Sequence, residues 1–260
     1  MEENEKNSAG CKKPADNNNY QEISAALSAQ KEAIETNIRL SREILWANVF
    51  HDTVRGSSWL KDQTFSLGRW AIGYPFAYVL YRVLDEARPG SILELGLGQS
   101  TRFTAQYAAA NPGTEHVVIE HDEEWISFFS ENYPVPKSTK ICLCPWDFEN
   151  FMGAKNVRVF KDFHKVTAGR RFNLILIDAP LGGDMKDYAR IDVLKEMPGC
   201  LAESFIILID DYNRAAERRT GSQMLKNLKE NNIPFFTGSY IGEKETYVIC
   251  SADNKFVRTM

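Results

Sequence analysis

The chain is short of cysteine. Cys11, Cys142, Cys144, Cys200 and Cys250 are the only five in 260 residues. Their number is odd and no pair has C-x-x-C spacing, which excludes a disulfide framework and a zinc ribbon. Cys142 and Cys144 share one face of a strand without a histidine nearby, so they read as reduced core residues. No apolar run approaches the ~20 residues of a membrane helix, which excludes membrane insertion. The opening MEENEKNSAG lacks the apolar stretch of a signal peptide, so a cytoplasmic location is expected. An excess of positive charge is also missing. Against 35 Asp and Glu stand 31 Lys and Arg, a balance of −4, and a nucleic acid held mainly through its phosphates is not expected.

What the chain has is an ordinary globular composition, 43% hydrophobic and 12% aromatic, at a length suited to one large α/β domain. Residues 1–19, rich in Asn, Glu, Lys and Ser, read as a disordered tail. Residues 20–64 form a helical extension. Within it Ile23, Leu27, Ile34, Ile38, Leu45 and Val49 fall near a 3.6-residue repeat, which predicts a helix packed on the main domain or serving as a lid or a homodimer contact. From Phe65 to about Glu86 a second helix is expected, broken near Gly73 and Pro75. Beyond Pro89-Gly90 the pattern alternates. Strands are predicted at 91–95, 116–120, 140–144, 172–178 and 205–210. Helices are predicted near 100–110, 123–132, 186–196 and 214–231. That alternation builds a parallel sheet covered on both faces. The runs 235–241 and 245–251 are separated by three residues only, which forces an antiparallel hairpin. The expected fold is therefore α/β and Rossmann-like, seven-stranded, with one strand running against the rest.

The segment Glu94-Leu-Gly96-Leu-Gly98-Gln-Ser100 follows the first strand and opens a helix, where glycines let a ligand approach backbone N–H groups. Glu120 ends the next strand, 24 residues beyond Gly96, placed to accept the hydroxyls of a ribose. Thr101 stands where a dinucleotide fingerprint has its third glycine. ELGLGQS with IEHDEEW after it resembles the first two motifs of the class I S-adenosylmethionine-dependent methyltransferases, and the hairpin-ended sheet is similar to theirs. The resemblance makes 65–260 a cofactor-binding methyltransferase domain. It implies that Glu94, Gly96, Gly98 and Ser100 surround the methionine part of S-adenosyl-L-methionine, that Glu120 holds its ribose, and that Trp146 and Asp147 lie by its adenine. Ser66, Arg69 and Gly73 would border the donor from the segment before the first strand.

Acids recur at the strand ends: Asp178 in LILIDAPLGGD, Asp210 and Asp211 in IILIDDYNR. Three clustered carboxylates repel one another, so a divalent cation or a basic side chain must compensate, with Arg190 and Arg214 as candidates for the latter. The set resembles the magnesium ligands of catechol O-methyltransferase-like enzymes, with Asp in place of Asn. That resemblance implies Asp178, Asp210 and Asp211 as ligands of Mg²⁺ or Mn²⁺. The stretches Asp178-Ala179-Pro180-x-Gly182 and Asp210-Asp211-x-x-Arg214-x-x-Glu217 resemble the glucuronoxylan and polysaccharide-biosynthesis methyltransferases, which implies O-methylation of a sugar hydroxyl on a glycan or nucleotide-sugar.

Methyl transfer to an alcohol needs alignment and an acceptor for its proton. Asp178 and Asp211 are the expected bases or ligands, and His164 is a third candidate base. Arg190 and Arg214 would grip a uronate or phosphate on the acceptor. Three other readings stay open: a methyltransferase for a catechol or amine, a nucleotide-binding oxidoreductase using the same loop, and a non-catalytic protein that keeps the fold.

Overall fold

The computed structural model describes residues 15–260. The first helix, α1 (Ala15–Val54), contains neither glycine nor proline and stops ahead of Arg55-Gly56. It reaches back into the stretch expected to be a disordered tail, the rest of which, 1–14, lies outside the described residues. The expected second helix is much shorter. It starts only at Tyr74, with Pro75 in its first turn where the missing N–H costs nothing, and α2 (Tyr74–Arg82) runs into a π-turn at Val83–Ala87. Residues 65–73 carry no helix.

Strands and helices then alternate: β1 (Ser91–Leu95), α3 (Gln99–Ala110), β2 (Glu115–Glu120), α4 (Glu123–Asn132), β3 (Thr139–Leu143), β4 (Trp146–Phe151), β5 (Ala154–Phe160), α5 (Phe163–Thr167), β6 (Phe172–Ile177), α6 (Asp192–Glu196), β7 (Leu201–Ile209), α7 (Ala215–Glu230), β8 (Phe236–Ile241) and β9 (Glu245–Cys250). Seven strands form one sheet in the order β3-β2-β1-β6-β7-β9-β8. Only β9 opposes its neighbours, pairing antiparallel with both β7 and β8. The chain reverses direction of travel between β1 and β6, which places a crevice beyond the carboxyl ends of those two strands.

Period-two alternation divides the core. Ile92, Leu174, Leu176, Ile206 and Leu208 face α1, α2 and α3, with Phe50, Phe76 and Phe103 packed among them. Leu93, Leu95, Ile175, Ile177, Ile207 and Ile209 face the other way, against Met224 and Leu228 of α7. The end of α1 belongs to this core. Phe50 and Val54 are fully buried, and Trp46 lies 5.2 Å from Tyr78 and 5.7 Å from Tyr240. Earlier in the helix, Ile23, Leu27, Ile34, Ile38 and Leu45 are exposed.

The sequence reading missed the hairpin β4–β5. Its turn is Met152-Gly153, both at positive φ (48° and 86°), the conformation that matches the twist of a two-residue hairpin. Among the described residues no helix is long and apolar enough to cross a membrane.

Candidate active site

The turn after β1 depends on Gly96, which sits at φ 101° with a Cβ position only 3.1 Å from Ala179 Cβ. Both constraints disfavour a side chain there. Gly96 N–H donates to Ile119 O and Leu97 N–H to Glu120 Oε2, so the turn is tied to the end of β2. Beyond it a cavity of about 480 Å³ opens. Gly96, Leu97, Gly98 and Gln99 line one side, Glu120, His121, Trp125 and Trp146 another, Asp178, Ala179 and Leu181 a third, and Ser66, Gly68, Arg69, Trp70, Ala71 and Ile72 the last. A larger cavity, about 880 Å³, lies at the opposite end of the sheet around Leu201 and Phe205 and contains none of these groups.

Glu94 does not line the site cavity. It is 1% exposed beneath the turn, where it accepts hydrogen bonds from the hydroxyls of Ser100, Thr101 and Thr104 and meets His116 Nε2 at 3.2 Å. Glu94 and Ser100 therefore anchor the loop from below, because three hydroxyls clustered at the start of α3 satisfy the carboxylate where it is buried. Glu120 does reach the cavity. Its Oε1 accepts from the N–H groups of His121 (2.7 Å) and Asp122 (3.1 Å) and pairs with His121 Nδ1 at 2.6 Å, while Oε2 accepts only from Leu97. A carboxylate oxygen offers about two lone-pair sites, so Oε2 keeps one for a ligand hydroxyl.

Trp146 lines the cavity, but its ring already stacks on His121 at 3.8 Å and carries the Arg158 guanidinium at 4.7 Å. Its indole N–H is buried without a hydrogen-bond partner. Asp147 and His164 are placed elsewhere. Alternation along β4 turns Asp147 away from Trp146, and both residues line a separate polar cavity of about 240 Å³ with Asp162 and Asp192. Neither adenine recognition by Asp147 nor base catalysis by His164 fits that position. Of the residues expected to border the donor, Ser66 and Arg69 line the cavity, and Gly73 instead caps α2.

Asp178, Asp210 and Asp211 converge at the tips of β6 and β7, each offering an oxygen within 4.8 Å of the others. Arg190 is buried beside them, bonding Asp211 Oδ2 (2.9 Å) and the carbonyl of Asp210 (3.0 Å), and lying 3.2 Å from Asp178 Oδ1. That commitment removes it as a ligand for the acceptor. Arg214, half-exposed, pairs with Asp211 at 2.8 Å and Glu217 at 3.5 Å. Lys244, which the sequence reading missed, donates to Ala71 O at 2.9 Å and lies 3.3 Å from Asp210 Oδ2 and 3.4 Å from Asp211 Oδ1. A signal for it existed: a strand antiparallel to β7 must begin where β7 ends, so the turn before β9 had to arrive at the acids.

Electrostatics separate the three acids. Burial and the neighbouring Asp210 push the Asp178 carboxyl up to about 8. Burial likewise raises Asp210. Burial would raise Asp211 too, but Arg190, Lys244 and Arg214 outweigh it and hold that carboxyl below its usual value. Asp211 is thus a fixed anion unsuited to accept a proton. Asp178, 24% exposed and on the cavity wall, is the one acid of the three placed to do so. The oxygens are of the kind a hard divalent cation selects, yet Lys244 already stands at the oxygens of Asp210 and Asp211 that such an ion would take.

No family model and no curated protein matches the chain. Solved structures do. An O-methyltransferase described from Klebsiella pneumoniae superposes with a TM-score of 0.50 at 13% identity, over 80% of this chain and 98% of the other. The chain has a methyltransferase fold. A Staphylococcus aureus protein described as a caffeoyl-CoA O-methyltransferase (TM-score 0.49, 13% identity, 82% and 100% covered) is also similar. So is the O-methyltransferase TomG of Streptomyces achromogenes, solved with S-adenosylmethionine (0.49, 13%, 81% and 99%).

Proposed function

We propose that the protein is an S-adenosylmethionine-dependent O-methyltransferase whose acceptor is a sugar hydroxyl of a glycan or nucleotide-sugar. The carrying observation is the cavity at the β1/β6 switch point, walled by the Gly96 turn, Glu120 with its free Oε2 position, the ring of Trp146 and the raised carboxyl of Asp178. Glu120 Oε2 suits a ribose hydroxyl. The donor, when bound, supplies a methyl group on a positively charged sulfur. Asp178 accepts the proton of the acceptor hydroxyl as that oxygen bonds the methyl carbon and the carbon–sulfur pair returns to sulfur. Trp70, 90% exposed at the cavity rim, offers a face on which a sugar ring can stack.

The exposed face of α1 supports a homodimer. Ile23, Leu27, Ile34, Ile38, Leu45 and Val49 repeat every 11 residues in pairs, and they are symmetric about Thr36. An antiparallel second copy would set Ile23 on Val49, Leu27 on Leu45 and Ile34 on Ile38, with Glu32 and Glu35 beside Arg39 and Arg42 of its partner. A self-complementary patch of this kind closes on a two-fold axis.

Calorimetry with S-adenosylhomocysteine and with NADH tests the cofactor, and transfer of labelled methyl to a panel of glycans, nucleotide-sugars, catechols and amines tests the acceptor. Binding of S-adenosylhomocysteine alone, with label on a saccharide, is the expected result. Binding of NADH alone would refute the cofactor, and label confined to catechols or amines would refute the acceptor.

A further inference from the structure

In an active site built from three clustered acids, the identity of the neutralising charge decides how the site works. Here each acid has been given a counter-charge by the chain itself. Arg190 comes from the loop after β6, Arg214 from the start of α7, and Lys244 from the turn between β8 and β9. Of the three, Lys244 occupies the distinctive position. Its ammonium bridges Asp210 Oδ2 and Asp211 Oδ1 and is steadied by Ala71 O, a carbonyl of the cavity wall. A magnesium or manganese ion bonded to those two oxygens at about 2.1 Å would be no more than ~5.5 Å from that ammonium. Arg190 and Arg214 would remain nearby, so the ion and the three cationic side chains would outweigh the carboxylates of Asp178, Asp210, Asp211 and Glu217.

We propose that Lys244 takes the place of a divalent cation in this site, so that methyl transfer here is independent of metal and the ammonium is the positioning charge that holds Asp210 and Asp211 beside Asp178. The backbone explains why a lysine can do this. β9 alone runs against the sheet, so its first residues lie at the carboxyl end of β7, and the side chain reaches the acids from the hairpin turn. A lysine on a parallel strand's leading turn would arrive at the other end of the sheet. Lys244 touches the acids and not the reacting atoms, so its effect passes through Asp178. The inference rests on the methyltransferase reading for its assay of turnover, but not for its assay of metal.

The test uses the full chain and manganese chloride. Calorimetry on the wild type should show no Mn²⁺ binding up to millimolar concentration, and EDTA should change turnover less than twofold. Lys244→Met keeps the stem and removes the charge. It should lose at least tenfold in kcat and gain Mn²⁺ binding at the vacated position, and Mn²⁺ should restore part of the lost rate. Lys244→Arg keeps a charge there and should bind no Mn²⁺. A wild type that binds Mn²⁺ stoichiometrically, or that loses its activity to EDTA, overturns the proposal. So does a folded Lys244→Met protein that turns over like the wild type. If Lys244→Met fails to fold, the wild-type and Lys244→Arg titrations still decide. S-adenosylhomocysteine binding, measured separately, tells failure of the methyltransferase reading from failure of this one.

Discussion

Asp178→Asn replaces the one cavity-facing acid that can take a proton by an amide of the same shape that cannot. Positioned bases contribute about 10²–10⁴-fold to rate, which corresponds to roughly 3–5 kcal/mol of barrier. The wild-type carboxyl ionises near pH 8 because it is buried beside Asp210. At pH 7 about one molecule in ten is then ready to act, and kcat/KM should rise close to tenfold per unit between pH 6 and 7 and level off above 8. The Asn variant should turn over about 10²–10⁴ times more slowly, with a flat pH profile and an S-adenosylhomocysteine affinity within a few-fold of wild type.

Stability supplies the control. A carboxyl whose folded value lies above its usual 3.8 binds its proton more tightly in the native state. Its stabilising contribution is complete below pH 4 and is lost as pH rises through about 8. Asparagine has no such loss, so at pH 9 the variant should melt no lower than wild type. Initial rates from pH 5.5 to 9.5 with scanning calorimetry read all of this. A variant that keeps a third or more of the wild-type rate, or a wild-type profile flat from pH 6 to 8, refutes Asp178 as the base.

Two further substitutions probe the frame. Gly96→Ala forces a side chain into a left-handed turn against Ala179. It should cost about 1–2 kcal/mol, lower Tm by roughly 2–8 °C and weaken S-adenosylhomocysteine at least tenfold, all readable by calorimetry; an unchanged affinity would separate the turn from the ligand. Ile34→Glu combined with Ile38→Glu changes exposed positions only. It should convert a dimer to a monomer by light scattering while leaving Tm of the catalytic domain within about 2 °C, and a wild type that is monomeric at 100 times the assay concentration would dispose of the α1 pairing.

Much of the frame was legible because burial writes itself into the chain. Apolar runs such as LILID, glycines at a sharp turn and a three-residue gap between the last β-rich runs fix strands, loop and antiparallel end. Boundaries between helix and coil were less legible. Phe65–Ile72 has helical composition, yet it is held as a loop around the cavity by Gly68 and Arg69 at positive φ. The partners of buried charges were hardest to see. Glu94 reads as a ligand until the hydroxyls of Ser100, Thr101 and Thr104 are found pointing back at it. Arg190 reads both as a counter-charge for the strand-end acids and as a grip for substrate, and its guanidinium closes over Asp211 and the carbonyl of Asp210. Lys244 joins acids more than thirty residues away in the chain, and no local pattern announces that pairing.

Glu43 makes two hydrogen bonds. One carboxylate oxygen accepts from Tyr74 N–H at 2.6 Å and the other from Glu243 N–H at 2.8 Å, while Trp46 donates to Ile241 O at 3.1 Å. The long arm is therefore fastened to the residue next to Lys244. Glu43 thus ties the start of α2 and the β8–β9 turn to one side chain of α1, one residue from the counter-charge of the acids, and its removal would free both backbone N–H groups at once.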